Sequence, residues 1–413
     1  MSSASAAPPR RTRSRPLAAG IVGCVAFILI GWSGLLVPSL IRSVKDALDQ
    51  TDAGIGTFYF GYALAYAAGS FVGGALTERM GRRTVLTMAA GLHGLGFVGL
   101  ATVPSWPLFL AMAVPAGLGA GALDGGANGL FLDLYRANRG RALNLLHLFF
   151  SLGAFGAPLI VGRLVEAGVD WRLVLGATGG AALGVGGLFA VVVMPDGRRI
   201  RADRATSVNG RAVSESRSRP RRAALTGPLI ILSVAIACYV AAEVGVSNWL
   251  VRFLEPAPLG VATTALALFW GGLTLGRLVA ARVSDRFDHV AFAVASTTAM
   301  SVLLVGAILV PSTEASIACF ALAGFATGPV YPMIMAVGGD RYPDRAAAVS
   351  GVLSGAAVAG SIVYPPIMGF LSVTVGLTVA MLGTVVLGLA CAGALLLVGR
   401  PLDPRVKPVP TAS

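Results

Sequence analysis

The chain has 413 residues, of which 12% are charged and 55% hydrophobic, where soluble globular domains carry about a quarter charged residues. That balance excludes an ordinary water-soluble protein, and at about 20 residues per bilayer span the length accommodates twelve helices, a linker and two tails. The net charge of +13 would suggest nucleic acid in a soluble domain, but the basic residues lie between apolar runs, and no nucleic-acid partner is expected.

The basic tail, residues 1–16, leads into an apolar run at 17–41 that is too long for a signal-peptide core and lacks a clear small-residue cleavage site, so it reads as a first span that stays. Further runs at 55–77, 84–104, 106–133, 143–165 and 173–194 complete a six-helix half, 17–194. Residues 195–224 hold nine arginines, three acids and no apolar periodicity, the composition of a flexible linker. A second six follow at 225–252, 263–283, 290–310, 313–337, 347–371 and 374–398, giving a half at 225–398 and a tail at 399–413. Cys24, Cys238, Cys319 and Cys391 sit inside apolar runs with no paired spacing. They read as small hydrophobes rather than as a disulfide or metal framework.

Short loops rich in Lys and Arg stay in the cytoplasm. With both termini inside, only Arg42, Lys45, Arg163, Arg172 and Arg252 of the 32 Lys and Arg fall outside, and Arg277 falls within a span. The expected location is therefore the plasma or inner membrane, multi-pass, with both termini and the linker cytoplasmic. The halves also repeat each other. A shift of 207 residues lays Gly117, Gly121, Asp133, Tyr135, Gly153, Pro158 and Gly162 onto Gly324, Gly328, Asp340, Tyr342, Gly360, Pro365 and Gly369. Two repeats in the same orientation predict a substrate site between them near the bilayer midplane.

The turn Gly74-Ala-Leu-Thr-Glu-Arg-Met-Gly-Arg-Arg83 resembles the signature loop of the major facilitator superfamily, with Glu78 in place of the usual Asp, and Val283-Ser-Asp-Arg-Phe287 is its degenerate copy in the second half. The resemblance implies an all-α membrane fold of twelve helices in two six-helix repeats. It also implies that Glu78, Arg79, Arg82, Arg83, Asp285 and Arg286 form a conformational latch, since charge-assisted hydrogen bonds at a helical turn can hold one orientation of a half. The alternative is that these arginines only enforce topology. Residues 117–128, GLGAGALDGGAN, and 141–147, RALNLLH, are similar to motifs of the fucose permease branch, whose members are sugar:proton symporters; His147 stands where Gln is usual.

Asp124 lies nine residues from the end of span four, roughly 14 Å deep at 1.5 Å per residue, and is the only ionisable residue in that interior. A carboxylate there must face water, have a partner or be protonated. Asn128 is one turn further along the same face. Glu243 holds a comparable depth in span seven, with Tyr239 and Ser247 one turn to either side. Asp124 and Glu243 are the candidate proton-coupling pair, each with a structural hydrogen bond as its alternative. Asn128, Asn144, His147, Tyr239, Asn248, Trp249 and Tyr331 are the candidate substrate residues. His93 is read as structural, and Arg277 as snorkelling toward the cytoplasm, with a charge relay as the alternative.

No phosphate-cradling loop opens a strand-turn-helix unit and no catalytic triad or metal motif is present, so neither an enzyme nor ATP-driven transport is expected. The sequence therefore predicts a proton-coupled symporter of a small polar, sugar-like solute, energised by the proton gradient without a cofactor and working as a monomer. Proton-driven export of a drug or metabolite is the alternative, because Gly153 to Gly162 partly resembles the span-five motif of drug antiporters. A transporter-like membrane sensor is a remote third.

Overall fold

In the computed structural model, residues 14–135, 138–194 and 226–399 are described; the linker and both extreme tails lie outside them. Every regular element among the described residues is helical. This is the expected consequence of a bilayer interior that leaves no water to satisfy an open backbone. Span one is α1 (Ser14–Gly34), followed by the short α2 (Leu36–Ser39) and α3 (Ile41–Ala47). Then come α4 (Asp52–Met80), α5 (Arg82–Thr102), α6 (Trp106–Leu134), α7 (Arg139–Glu166) and α8 (Trp171–Val191). The second repeat comprises α9 (Gly227–Phe253), α10 (Leu259–Val283), α11 (His289–Leu309), α12 (Thr313–Thr327), α13 (Val330–Arg341), α14 (Ala346–Thr374) and α15 (Leu377–Gly399).

Among the described residues, eleven segments are long and apolar enough to cross a bilayer. The twelfth span is α4, whose 29 residues exceed the required length and whose charges, Asp52, Glu78 and Arg79, sit at its ends. Span ten differs from expectation. Instead of one run over 313–337 it is two helices that break at Gly328-Pro329, because proline contributes no amide hydrogen to the helical ladder. Its counterpart in the first repeat, α6, has Ala122 at the matching register and runs unbroken. Span one is likewise interrupted, before and after the four residues that contain Pro38.

The chain divides into two compact units that cut across the repeat: residues through Leu36 and from Gly61 onward form the first, while Val37–Phe60 joins the second repeat. The first unit is centred on Phe27, Leu86, Leu123, Phe131, Leu146 and Phe189, and the second on Leu232, Ile236, Tyr239, Ile334, Leu353 and Leu395.

The repeated glycines explain how helices approach within each unit. A Cβ on Gly121 would collide with the Tyr66 carbonyl of α4, and one on Gly69 with the Leu118 carbonyl of α6. In the second unit Gly324 meets the Phe269 carbonyl and Gly276 the Phe325 carbonyl, so α10 and α12 repeat the α4 and α6 contact. Gly153 against Ile28 and Gly360 against Ala237 form a second such pair. Small residues are what permit this closeness where lipid supplies no hydrophobic drive.

Gly121→Ala should therefore force α4 and α6 apart and destabilise the first unit by about 1 to 3 kcal/mol, read as a lower thermal midpoint in detergent. Gly180→Ala in α8, where a Cβ meets nothing within 4 Å, should leave the midpoint unchanged or raise it.

Candidate functional site

Among the described residues each unit holds one acid within the interior of its spans, and each of these acids is paired with a tyrosine. In the first unit Asp124 of α6 is half-buried. It accepts a hydrogen bond from the Tyr66 hydroxyl of α4 and one from Asn128 Nδ2 at 3.0 Å. The Gly121 contact holds α4 and α6 close enough for that tyrosine to reach. A few residues away, His93 is fully buried: Nδ1 lies 2.8 Å from the Ala116 carbonyl and Nε2 3.1 Å from Ser33 Oγ. Tyr62 also hydrogen-bonds Ser33. His93 thus joins α1, α5 and α6, which is the structural role expected of it.

In the second unit Tyr239 of α9 is completely buried and its hydroxyl donates to Glu243 Oε2 one turn on. The Thr327 carbonyl lies 3.3 Å from the same hydroxyl. Thr327 is the last residue of α12 before the span breaks, so its carbonyl lacks a helical partner. Arg277 of α10 hydrogen-bonds Tyr239 as well, which places its guanidinium in a polar cluster rather than at the end of the span. Sequence spacing had linked Glu243 to Tyr239; it could not supply Arg277, which arrives from another helix.

The other candidates are dispersed. Asn144 and His147 lie on exposed positions of α7, with the His147 ring edge-on to Phe27 at 5.4 Å. Asn248 offers its carbonyl to the Tyr59 hydroxyl at 3.0 Å. Trp249 is fully buried, donates through Nε1 to the Pro365 carbonyl at 3.1 Å and meets Tyr59 edge-on at 5.8 Å. Tyr331 packs on the core of the second unit.

At the turn between α4 and α5, Gly81 adopts φ 87°, a conformation that side chains disfavour, and it precedes α5, whose first turn holds Arg82 and Arg83. Arg82 pairs with Asp133 at 2.5 Å, and Arg83 donates to the Val192 carbonyl at 2.8 Å. Arg79 and Arg286 are exposed; the side chains of Glu78 and Asp285 lie outside the described ones. The 207-residue shift carries Arg82 and Asp133 onto His289 and Asp340, and these pair at 2.8 Å. The repeat thus preserves a carboxylate-paired position while replacing arginine with histidine.

A third polar cluster went unrecognised in the sequence. Asp52, at the start of α4, is 4% exposed and bonds to Lys45 of α3, to Arg252 Nε at 3.0 Å and to Ser372 Oγ at 2.5 Å. Arg42 donates to the carbonyls of Val251, Leu254 and Ala257 at the end of α9, where a cation also complements the helix dipole. These bonds anchor Val37–Phe60 in the second unit. Counting Lys and Arg placed Arg42, Lys45 and Arg252 outside the spans, and nothing in the spacing joins Asp52 to Arg252, 200 residues away.

The sequence profile of the Major Facilitator Superfamily matches residues 21–259 and again 254–413. The chain belongs to the Major Facilitator Superfamily. It is a multi-pass membrane transporter of that family. It is 32% identical to the sodium-dependent glucose transporter 1 of Rattus norvegicus over 138 residues, 33% of this chain and 28% of that protein; the match spans less than a third of the relative's length. Among solved structures, a D-xylose-proton symporter matches 94% of this chain and 98% of its own at a TM-score of 0.73 and 16% identity. The Escherichia coli fucose:proton symporter matches 94% and 100% at a TM-score of 0.59 and 19% identity. At these identities the structural matches establish the major facilitator fold.

Burial alone would raise the Asp52 carboxyl, but hydrogen bonds from Lys45 and Ser372 and the charges of Lys45 and Arg252 outweigh it and hold the group below the ordinary carboxylate value. The resulting stabilisation is complete above about pH 3.9 and is lost as pH falls through the depressed folded value. Asp52→Asn strands two cations and should cost about 2 to 4 kcal/mol, a fully buried pair's 3 to 5 reduced for the partial exposure of Lys45 and Arg252. Thermal unfolding in detergent checks both statements: the wild type should lose its advantage over Asp52→Asn below about pH 4.

Proposed function

We propose that this transporter takes up a small polar, sugar-like solute together with protons by alternating access. Asp124 and Glu243 are the groups that gain and lose the proton. The observation that carries this reading is the pairing of Asp124 with Tyr66 and Asn128 in a span that offers it no cation. A carboxylate in that setting is costly to ionise, yet it keeps a hydroxyl and an amide that stabilise either protonation state. It therefore suits a group that loads from one side of the membrane and discharges to the other.

Three further points support the reading. The curated and structural relatives named above are glucose, xylose and fucose transporters by their own names, two of them proton symporters. Asn128 and the Asn144 side chain offer hydroxyl-matching donors and acceptors, which a lipophilic drug would leave unpaired at about 1 to 3 kcal/mol each. Gly153, which opens the stretch that favoured the export alternative, recurs as Gly360, and both are helix contacts, a packing role that accounts for it without export. Both termini and the linker are assigned to the cytoplasm on the distribution of arginine. Arg82 and Asp133 then act in the conformational cycle at the cytoplasmic face.

A proton gradient of one pH unit supplies about 1.4 kcal/mol per proton, enough for a solute gradient of about tenfold. In proteoliposomes with an imposed inward proton gradient, Asp124→Asn should abolish accumulation of labelled sugar while preserving counterflow exchange. A sodium gradient should not replace the proton gradient. Wild-type accumulation by Asp124→Asn, or robust dye efflux without sugar uptake, would remove the symport reading.

A further inference from the structure

Within the spans of the second unit, Glu243 on α9 and Arg277 on α10 are the charged side chains of the interior among the described residues; Arg252, Arg282, His289, Glu314, Asp340 and Arg341 stand at helix ends. Tyr239 joins the two, donating to Glu243 and accepting from Arg277. Both charged residues are half-buried, so each keeps an accessible side at a depth where acyl chains do not accept a charge. The cluster also sits at the break in span ten: the Thr327 carbonyl reaches Tyr239 at 3.3 Å, and Gly328 packs on the backbone of Leu273 and Arg277. Interrupted helices at mid-membrane are where transporters of this general architecture expose backbone polarity to a solute.

A guanidinium does not shed its proton, and one within a span needs a counter-charge in every state of the cycle, because an unpaired buried charge is far costlier than a paired one. Ionised Glu243 supplies that charge. Once Glu243 takes up a proton, Arg277 keeps the Tyr239 hydroxyl but no anion among the described residues of these spans. The other titratable side chains within these spans, Cys238, Cys319, Tyr331, Tyr364 and Cys391, are thiols and phenols and supply no carboxylate. We infer that the solute itself supplies the missing anion: the transported species is a sugar acid, a polyhydroxylated carboxylate that pairs with Arg277 when Glu243 is protonated. This rests on the symport reading above and narrows its substrate class. The planar fork of Arg277 matches a carboxylate in a bidentate geometry that a sugar hydroxyl does not satisfy. One proton entering with one monoanion moves no net charge, so transport is electroneutral.

The test uses the full-length protein in proteoliposomes under an inward proton gradient, with a potassium-valinomycin potential applied or absent, and compares labelled D-glucuronate with labelled D-glucose. Wild type should prefer glucuronate by roughly tenfold or more, the worth of a charge-assisted bond, and its initial rate should not respond to the potential. Arg277→Gln should remove the preference, while Arg277→Lys, which keeps the charge, should retain part of it. In detergent, Glu243→Gln fixes the carboxyl in its neutral form, so glucuronate affinity should become independent of pH, whereas the wild type should bind more tightly as pH falls. Equal or faster gradient-driven uptake of glucose by the wild type would overturn the sugar-acid assignment and leave proton symport standing. A glucuronate preference that survives Arg277→Gln would remove Arg277 from the site. Gradient-driven uptake of neither sugar would overturn the sugar-acid assignment together with symport.

Discussion

A charge placed among acyl chains must bring its own partner, and this constraint orders the polar structure of the protein. Water is absent as a default acceptor, so each ionisable group away from a helix end is found with a hydroxyl, an amide or an opposite charge. Asp124 has Tyr66 and Asn128, Glu243 has Tyr239, and Asp52 has Lys45, Arg252 and Ser372. Asn128 and Tyr239 share the helix of their acid, whereas Tyr66, Lys45, Arg252 and Ser372 come from other helices; Tyr66 reaches Asp124 across the backbone-to-backbone approach that Gly121 permits. The glycine contacts and the polar clusters are therefore one design: small residues set the spacing at which a tyrosine can span from one helix to the next.

The same constraint separates groups that hold structure from groups that suit transport. His93 has both ring nitrogens engaged and no exposure, so it has little freedom to exchange partners. Asp52 lies between cations at the end of its helix and remains ionised. Asp124 and Glu243 differ from both: each is half-buried and faces a tyrosine, and the first has no cationic partner among the described residues. Pairing with a hydroxyl rather than a charge keeps both protonation states within reach.

Much of this was legible in the chain. Apolar run lengths gave the spans, and the 207-residue register joined Gly117 and Gly121 to Gly324 and Gly328 before any contact was known. The loop around Glu78 to Arg83 and the stretch ending at Asp124 and Asn128 carried the family resemblance. Intrahelical pairs were also readable, since Tyr239 and Glu243 stand one turn apart. Unreadable were the partners that come from other helices. Arg277 looked like a cation reaching for the interface until α10 brought it to Tyr239, and nothing singled out Asp52, whose partners Arg252 and Ser372 lie 200 and 320 residues away. The break in span ten had a signal, Gly328-Pro329, that hydrophobicity alone overrode. Trp249 resembled a sugar-stacking surface, yet burial against Pro365 and Tyr59 depends on tertiary packing that periodicity does not encode.

The central claim is that the acids within the spans carry protons together with the solute. Its most direct measurement is solute-evoked alkalinisation of a lightly buffered medium around proteoliposomes, comparing the wild type with the double variant Asp124→Asn, Glu243→Gln. The account predicts that added sugar or sugar acid raises external pH with the wild type, and that the double variant gives no pH change although it still exchanges labelled solute. Alkalinisation of wild-type size by the double variant would contradict it.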